Sequence, residues 1–494
     1  MKLKELLKGV DYKKIYGSPG VEFKNISINS KDVNKESLFV AVRGFKLDGH
    51  DFIKDAVDRG ASLLIVQEKA DVSEDITQVI VNNTRKVLPV LCKNFYRDPT
   101  ASFELIGVTG TNGKTTTCYI INSILKSAGR KTSLITTVES FIDDSEVCFD
   151  RTTPESNELN DFFSKSKSKK VDCTCMEVSS HSVDLNRVDF LKFNYLVFTN
   201  LSQDHLDYHK DMKSYFYAKK QLFLSEKRSL YYGEKAVINM DDSYGMDIYK
   251  STDLDRITFS LKPGRADIWP TNIKSSVSGI KMTINTSNGL KFGVSSSLCG
   301  NFNIYNILSA AAVCIDMGVD ENYIKKGISS MSGVKGRFER VYCSGGFTVI
   351  VDYAHTPDGL KNVLETAGKI LPPGGKLISV FGCGGDRDKG KRKAMGHISG
   401  SYADYTIITS DNPRSEDPVS IINMVEEGIK DNGAGKYASV VNRKKAIFKA
   451  LGMAAENDVV IIAGKGHERY QEFKDDRIPF CDWQVVKEWT GKEK

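Results

Sequence analysis

Residues 103–128 read Phe-Glu-Leu-Ile-Gly-Val-Thr-Gly-Thr-Asn-Gly-Lys-Thr-Thr-Thr-Cys-Tyr-Ile-Ile-Asn-Ser-Ile-Leu-Lys-Ser-Ala, and no other stretch narrows the fold as far. Leu105, Ile106 and Val108 predict a buried strand, and Tyr119, Ile120, Ile121, Ile124 and Leu125 fall on one face of a helix. Between them lies Gly110-Thr111-Asn112-Gly113-Lys114-Thr115-Thr116. Glycines let such a loop turn several N–H groups onto one anion, and the helix that follows sets its positive dipole end on the same point. Lys114 adds a full charge for the terminal phosphates, and the hydroxyl of Thr115 or Thr116 can coordinate Mg²⁺. A nucleoside triphosphate is the natural occupant. The widespread spacing G-x-x-x-x-G-K-[ST] would put glycine at 108; Val108 stands there, with glycines at 107 and 110 instead. A Gly-rich turn that binds nothing would not require Gly-Lys-Thr-Thr between a strand and a helix.

At 494 residues the chain has room for about three domains. Residues 1–102 read as a small α/β unit: a strand at 37–42, a short helix at 52–60 and a strand at 61–66. Residues 103–332 form a second α/β unit built on the phosphate loop, with strands at 171–178 and 194–200 and antiparallel strands within 263–298. From 333 to 494 strand and helix alternate, giving a doubly wound, Rossmann-like α/β sheet.

Polar clusters sit where α/β sheets present ligands, just past the strand ends. Glu177 closes one predicted strand, and Asp204-His205-Leu206-Asp207 follows another. Glu177 and His205 suit Mg²⁺ beside a triphosphate, although capped loops with solvated charges would read similarly. In the third unit the clusters are Asp352-Tyr353-Ala354-His355, Gly382 to Asp388, Asp411-Asn412-Pro413-Arg414 and Gly464-Lys465-Gly466-His467-Glu468. Each alone could be a turn; together they point to one cleft. Of the seven histidines, all but His397 lie in such clusters, in the Leu201–His209 segment around Asp204, in the polar Gly44–His50 loop at a strand end of the first unit, or beside Glu177.

The net charge of +6 is mild over this length and does not argue for nucleic acid or a membrane surface. No leader is expected from Met1-Lys2-Leu3-Lys4-Glu5, and no segment is long and apolar enough to span a bilayer. The ten cysteines are expected to be reduced thiols in a cytoplasmic protein. Cys173-x-Cys175 is not expected to clip a metal, on the reading that the strand turns the two thiols to opposite faces.

Taken together, these motifs resemble the Mur ligases, the ATP-dependent amide-forming enzymes of peptidoglycan precursor synthesis, over essentially the whole chain. Residues 110–116 match that family's own variant of the phosphate loop. The resemblance implies three domains: 1–102 for the UDP substrate, 103–332 for ATP and 333–494 for the amino acid. It implies that a carboxylate attacks the γ-phosphate of ATP and that an amine then displaces phosphate from the acyl phosphate. Lys114, His205 and Lys219 are the implied catalytic residues. Thr115, Glu177, His205 and Lys219 would serve two Mg²⁺ ions, Lys219 as a carbamate, with Lys220 beside it as the alternative. ATP would meet Gly110 to Thr116, Asn303, Asn306, Arg337 and Asp352. The UDP-muramoyl dipeptide would meet Ser30, the Gly44–His50 loop, Thr152, Thr153, Ser179, Arg187 and Lys219. Phe45-Lys46 and Leu185 stand where members often carry His-Gln and Gln. Asp411-Asn412-Pro413-Arg414 resembles the signature of members that add meso-diaminopimelate, with Arg387, Gly464 and Glu468 as further contacts. An arginine suits that amine's extra carboxylate. A lysine-adding member and a folylpolyglutamate synthetase-like ligase are the alternatives. A monomer acting only on small molecules is expected.

Overall fold

A computed structural model describes residues 1–44, 47–227, 229–276, 279–341, 346–431, 436–474 and 476–492, and arranges them on three main sheets. The first comprises Tyr12–Tyr16 (β1), Asn25–Ser27 (β2), Ser37–Val40 (β3), Ala61–Val66 (β4) and Thr77–Val81 (β5), in the order β1-β5-β4-β3-β2. Only β1 is antiparallel to its neighbour. The unbroken apolar run Leu63 to Val66 is buried on both faces, as a central parallel strand requires.

The second sheet has eleven strands. Its elements are Glu104–Thr109 (β6), Lys114–Ser127 (α1), Thr132–Ile135 (β7), Ser140–Ile142 (β8), Ser145–Val147 (β9), Cys173–Glu177 (β10), Lys192–Phe198 (β11), Met212–Lys220 (α2), Tyr232–Asn239 (β12), Asp255–Phe259 (β13), Ile268–Ser276 (β14), Gly279–Thr286 (β15), Lys291–Ser296 (β16) and Asn301–Asp316 (α3). The order is β16-β15-β14-β13-β12-β11-β6-β10-β7-β8-β9. Parallel neighbours β10 and β11 enclose β6, so the phosphate loop leaves a switch point, where open α/β sheets bind ligands. One core lies on each face; α1 and α3 share the first, where Ala310, Ala311 and Ala312 keep α3 close. The expected antiparallel strands are β14 to β16, and β16 alternates exposed and buried residues. Cys173 and Cys175 correct an expectation: two apart on β10, they point to the same side and enter the same core, because strand side chains repeat every second residue.

The third sheet is built from Glu339–Val341 (β17), Thr348–Asp352 (β18), Pro357–Ile370 (α4), Leu377–Phe381 (β19), Gly390–Tyr402 (α5), Tyr405–Ile408 (β20), Lys436–Ser439 (β21), Arg443–Met453 (α6) and Val459–Ala463 (β22). In the order β17-β18-β22-β19-β20-β21, only β17 is antiparallel. The hairpin of Tyr470–Phe473 (β23) and Asp476–Pro479 (β24) and the helix Asp482–Lys492 (α7) follow. Among the described residues no helix is long and apolar enough to cross a membrane.

Candidate active site

A cavity of about 520 Å³ opens where the strand ends of the second and third sheets face each other. The phosphate loop forms one wall. Gly113 has φ +86°, and a Cβ there would lie 2.3 Å from Asn306 Oδ1; at Gly110, φ +146°, it would lie 1.9 Å from Thr199 Oγ1. Both positions therefore require glycine. Lys114 opens α1, and its Nζ donates to the carbonyls of Gly110 (3.0 Å) and Thr111 (2.9 Å). Burial pulls its ammonium below the ordinary value, and the nearby Glu177 carboxylate opposes that.

Glu177, at the end of β10, is buried beneath the loop. Its Oε1 accepts from Thr115 Oγ1 (2.8 Å) and Thr137 N (2.8 Å). Thr116 also lines the cavity, but it is the Thr115 hydroxyl that reaches Glu177. His205 has φ +56° and lies 3.4 Å from the Asp204 carboxylate. Burial pushes its imidazole down to about 3, and that of His181, packed against it, to about 4, leaving both neutral and able to ligate. Lys219, on α2, is buried and donates to Gly110 O at 3.0 Å. Burial first, then Lys114, holds its amine well below the ordinary lysine value. Lys220 pairs with Asp247 instead. Among the described residues no three His, Cys, Asp or Glu side chains are grouped to cage a metal. The touching hard donors Thr115 and Glu177, with neutral His205 on the same cavity, nevertheless fit Mg²⁺, which takes one or two protein ligands together with phosphate oxygens.

The other residues expected to meet ATP lie close to the loop. Asn306 Nδ2 donates to Asn303 Oδ1 (2.9 Å), which fixes the amide beneath Gly113. Arg337 Nη2 donates to Thr115 Oγ1 at 3.1 Å, and its guanidinium lies 4.5 Å from the Tyr353 ring centroid. Asp352, its carboxyl raised by burial, accepts from Phe338 N and Ala354 N, both at 2.6 Å. The third unit thus reaches across to the phosphate loop. Asn112 Nδ2 to Asp358 Oδ2 (3.1 Å), His355 to Asp204 (3.6 Å) and the Lys335–Glu139 ion pair make the same crossing.

Thr152, Thr153, Ser179 and Arg187 run outward from Glu177. Thr137 Oγ1 donates to Thr152 Oγ1 (3.0 Å), Thr153 Oγ1 to Glu177 O (2.9 Å), Ser179 N to Thr153 Oγ1 (3.1 Å) and Arg187 Nη1 to Thr153 O (3.1 Å). Leu185 caps the adjacent short helix, Ser180–Asp184. In the first unit, Ser30 and the loop ending at His50 follow the C-terminal ends of the parallel pair β2 and β3. Asp48 holds that loop through Arg43 Nε (2.9 Å) and His50 Nδ1 (2.6 Å). Phe45 and Lys46 lie outside the described residues. Arg85 joins this loop to the second unit, donating to Arg43 O (3.2 Å) and pairing with Glu155 (3.4 Å), which also pairs with Arg187 (3.0 Å).

Neighbouring parallel strands β22, β19 and β20 bring together the segments that carry Gly464 to Glu468, Arg387 and Asp411 to Arg414. Asp411 is buried but held below the usual carboxylate range by Lys465 and Arg443, against its desolvation; among the described residues its Oδ2 has no hydrogen-bond partner. A buried, ionised oxygen without a donor suits an ammonium group. Asn412 Nδ2 donates to Glu468 Oε2 (3.0 Å), and Lys465 Nζ donates to both Asn412 Oδ1 (3.0 Å) and Glu468 Oε2 (2.6 Å). Arg387 is exposed and donates to Asp386 O. Arg414 is not waiting unpaired: Nε donates to Glu472 Oε2 (2.9 Å) and Nη1 to Gly385 O (2.7 Å). Gly464 has φ +113°, and a Cβ there would meet Asp411 Oδ2 at 2.7 Å. Gly464→Ala is expected to lower Tm by several degrees and to weaken amine binding; an unchanged melting curve and KM would refute the close approach.

Lys465 was legible, since it stands inside a quoted cluster. Glu472 and Asp358 were not: Glu472 comes from the unpredicted hairpin, and Asp358 is ordinary helix-start acid until the two units meet.

The chain matches the Mur ligase family, catalytic domain, over residues 22–96; the Mur ligase middle domain over 108–314; and the Mur ligase, glutamate ligase domain, over 336–466. It is 43% identical over 491 residues, 99% of each chain, to a curated Clostridium acetobutylicum protein named UDP-N-acetylmuramoyl-L-alanyl-D-glutamate--2,6-diaminopimelate ligase 1. A Clostridioides difficile protein named as the same ligase is 41% identical over 495 residues, 100% of each chain. A solved structure of a protein with this ligase name covers 100% of this chain and 99% of its own at 29% identity, with TM-score 0.68. MurF ligase from Thermotoga maritima, solved in complex with ADP, shares the fold at 19% identity and TM-score 0.65, over 95% of this chain and 97% of its own.

Proposed function

The chain belongs to the Mur ligase family, and from that premise we propose that it joins meso-diaminopimelate to UDP-N-acetylmuramoyl-L-alanyl-D-glutamate, driven by ATP. The observation that carries the reading is that the phosphate loop of the second sheet and the Asp352–His355 exit of the third line one cavity, with Arg337 touching Thr115; the amine-suited exits lie beside that wall, where Gly464 N donates to Asp352 O at 3.1 Å. A substrate carboxylate forms a bond to the γ-phosphorus as the bond to ADP breaks. The amine nitrogen then bonds to the acyl carbon, phosphate leaves with the electron pair and the nitrogen loses a proton. Phosphoryl transfer of this kind depends on positioning and charge neutralisation. Lys114 and Arg337 supply cationic donors around the phosphates, while Asn303, Asn306 and Asp352 shape the nucleotide wall. Thr152, Thr153, Ser179 and Arg187 hold the muramoyl dipeptide, with Ser30 and the loop to His50 at the uridine end. Thr115, Glu177, His205 and carbamylated Lys219 would hold two Mg²⁺ ions, which neutralise charge on the transferring phosphoryl oxygens.

The amine enters against Asp411, Asn412, Arg414, Gly464 and Glu468, with Arg387 at the rim and Pro413 stiffening the turn. We place the reaction in the cytoplasm, where ATP is supplied, and assign the active unit as a monomer. Release of ADP that depends on both the UDP-dipeptide and diaminopimelate, with an amide product of the matching mass, tests the assignment. ADP release with lysine in place of diaminopimelate would favour the lysine-adding reading, and release with a folate substrate would favour the synthetase reading.

Lys219 supplies a separate prediction. Burial lowers the affinity of this amine for its proton, which favours addition of carbon dioxide, forming an N–C bond and releasing a proton. Lys219→Ala should lower kcat by roughly 10²–10³, as removal of a charge-stabilising group does. Short carboxylates should restore part of the activity. Full activity without rescue would refute the carbamate.

A further inference from the structure

We propose that Arg443, clamped by Asp482, is a positioning residue for the amine substrate: from the first turn of α6 it fixes the exits of β20 and β22. This rests on the reading that those two exits receive the amine. Both side chains are fully buried. Asp482, the first residue of α7, accepts from Arg443 Nε (2.8 Å) and Nη2 (2.7 Å), a two-point clamp that sets the guanidinium plane. The remaining edge of the guanidinium faces the sheet. Nη2 donates to Ala463 O at 2.9 Å and Nη1 to Ser410 O at 3.4 Å. These carbonyls immediately precede Gly464 and Asp411, so one side chain ties the last peptides of both segments. β19 lies between their strands, and β20 and β22 do not bond each other directly. The tie therefore sets a spacing that the ladder leaves to two successive pairings. Arg443 also contributes to keeping buried Asp411 ionised, behind the larger effect of Lys465.

A buried ion pair is a poor choice for stability alone, because well-packed apolar residues of similar volume often do as well or better. Geometry is what it supplies here. The three segments that would hold the amine meet within hydrogen-bond distance of one another, and such sites lose rate steeply when loosened by a fraction of an ångström. The C-terminal helix thus becomes part of the amine site without touching substrate.

The test uses the full chain with Arg443→Lys, Asp482→Asn and the double variant Arg443→Met/Asp482→Leu, which removes both charges and leaves no buried ion alone. Thermal melting and the KM for each of the three substrates are measured. In any variant that folds, the KM for diaminopimelate should rise by about tenfold or more, with KM for ATP and the UDP-dipeptide within about twofold. The double variant should show that rise at near-native Tm. If it folds with unchanged diaminopimelate KM, or if all three KM values rise together, the positioning role is refuted. Arg414→Ala and Asp411→Asn are run in parallel. A raised amine KM in either with silent Arg443 variants sinks this inference alone, whereas an unchanged amine KM in both Arg414→Ala and Asp411→Asn sinks the amine-site reading on which it rests.

Discussion

Lys114→Ala is expected to abolish ATP-dependent ligation, lowering kcat/KM by about 10³ or more while the fold survives. The phosphate loop offers several N–H groups, yet Lys114 is the lysine it carries, and its Nζ lies among the carbonyls of Gly110 and Thr111 at the mouth of the cradle. A nucleotide terminal phosphate would draw that ammonium outward and counter the burial that lowers its pKa. The hydrogen bonds lost in the variant are each worth about 1 kcal/mol net, so a modest fall in Tm is expected and no collapse. Single-turnover phosphoryl transfer separates binding from chemistry. Lost turnover with a melting transition close to wild type supports the assignment, and near-normal turnover in the folded variant would remove the phosphate loop from the mechanism.

Much of this site was readable because its chemistry is local in sequence. The cradle needs a strand, a glycine turn and a helix in immediate succession, so residues 103–128 carry the whole device. The strand-end clusters were legible for the same reason: β18, β19, β20 and β22 are short apolar runs that each end abruptly in polar residues. What failed to show was pairing at long range. β21 reads Lys-Tyr-Ala-Ser, too polar to announce a strand, and it exists because β20 gives it a ladder. The β23–β24 hairpin buries only Gln471, leaves β24 exposed throughout, and gains its place through Glu472, whose backbone N–H donates to Asn412 Oδ1 at 3.0 Å. The Cys173–Cys175 expectation failed on strand geometry alone.

That hairpin changes how Arg414 selects its substrate. An arginine with no other partner would reject lysine by being left unpaired at the far end of the amine. In the structure Glu472 already accepts from its Nε at 2.9 Å and also pairs with Arg477 at 3.2 Å, so lysine would leave no bare guanidinium behind. Selection must then come from what diaminopimelate adds. Among the described residues Arg414 Nη2 has no hydrogen-bond partner, and with the second Nη1 hydrogen it offers an edge to a carboxylate. Charge-assisted hydrogen bonds are worth about 1.5–3 kcal/mol, or roughly 10- to 100-fold in KM. Arg414→Ala should raise the KM for diaminopimelate by about that factor, leave the poor use of lysine nearly unchanged and spare ATP and the UDP-dipeptide. The loop should keep its shape, because the Arg414 backbone still donates to Glu472 O (3.1 Å) and accepts from Lys474 N (2.7 Å). Glu472 retains Arg477, so its carboxylate is not stranded. The measurement is kcat/KM for both amines in wild type and variant. A ratio that falls toward unity identifies Arg414 as the selector; an unchanged ratio shows that its pairing with Glu472 serves only to strap the hairpin, and moves the choice of amine to Asp411, Asn412 and Glu468.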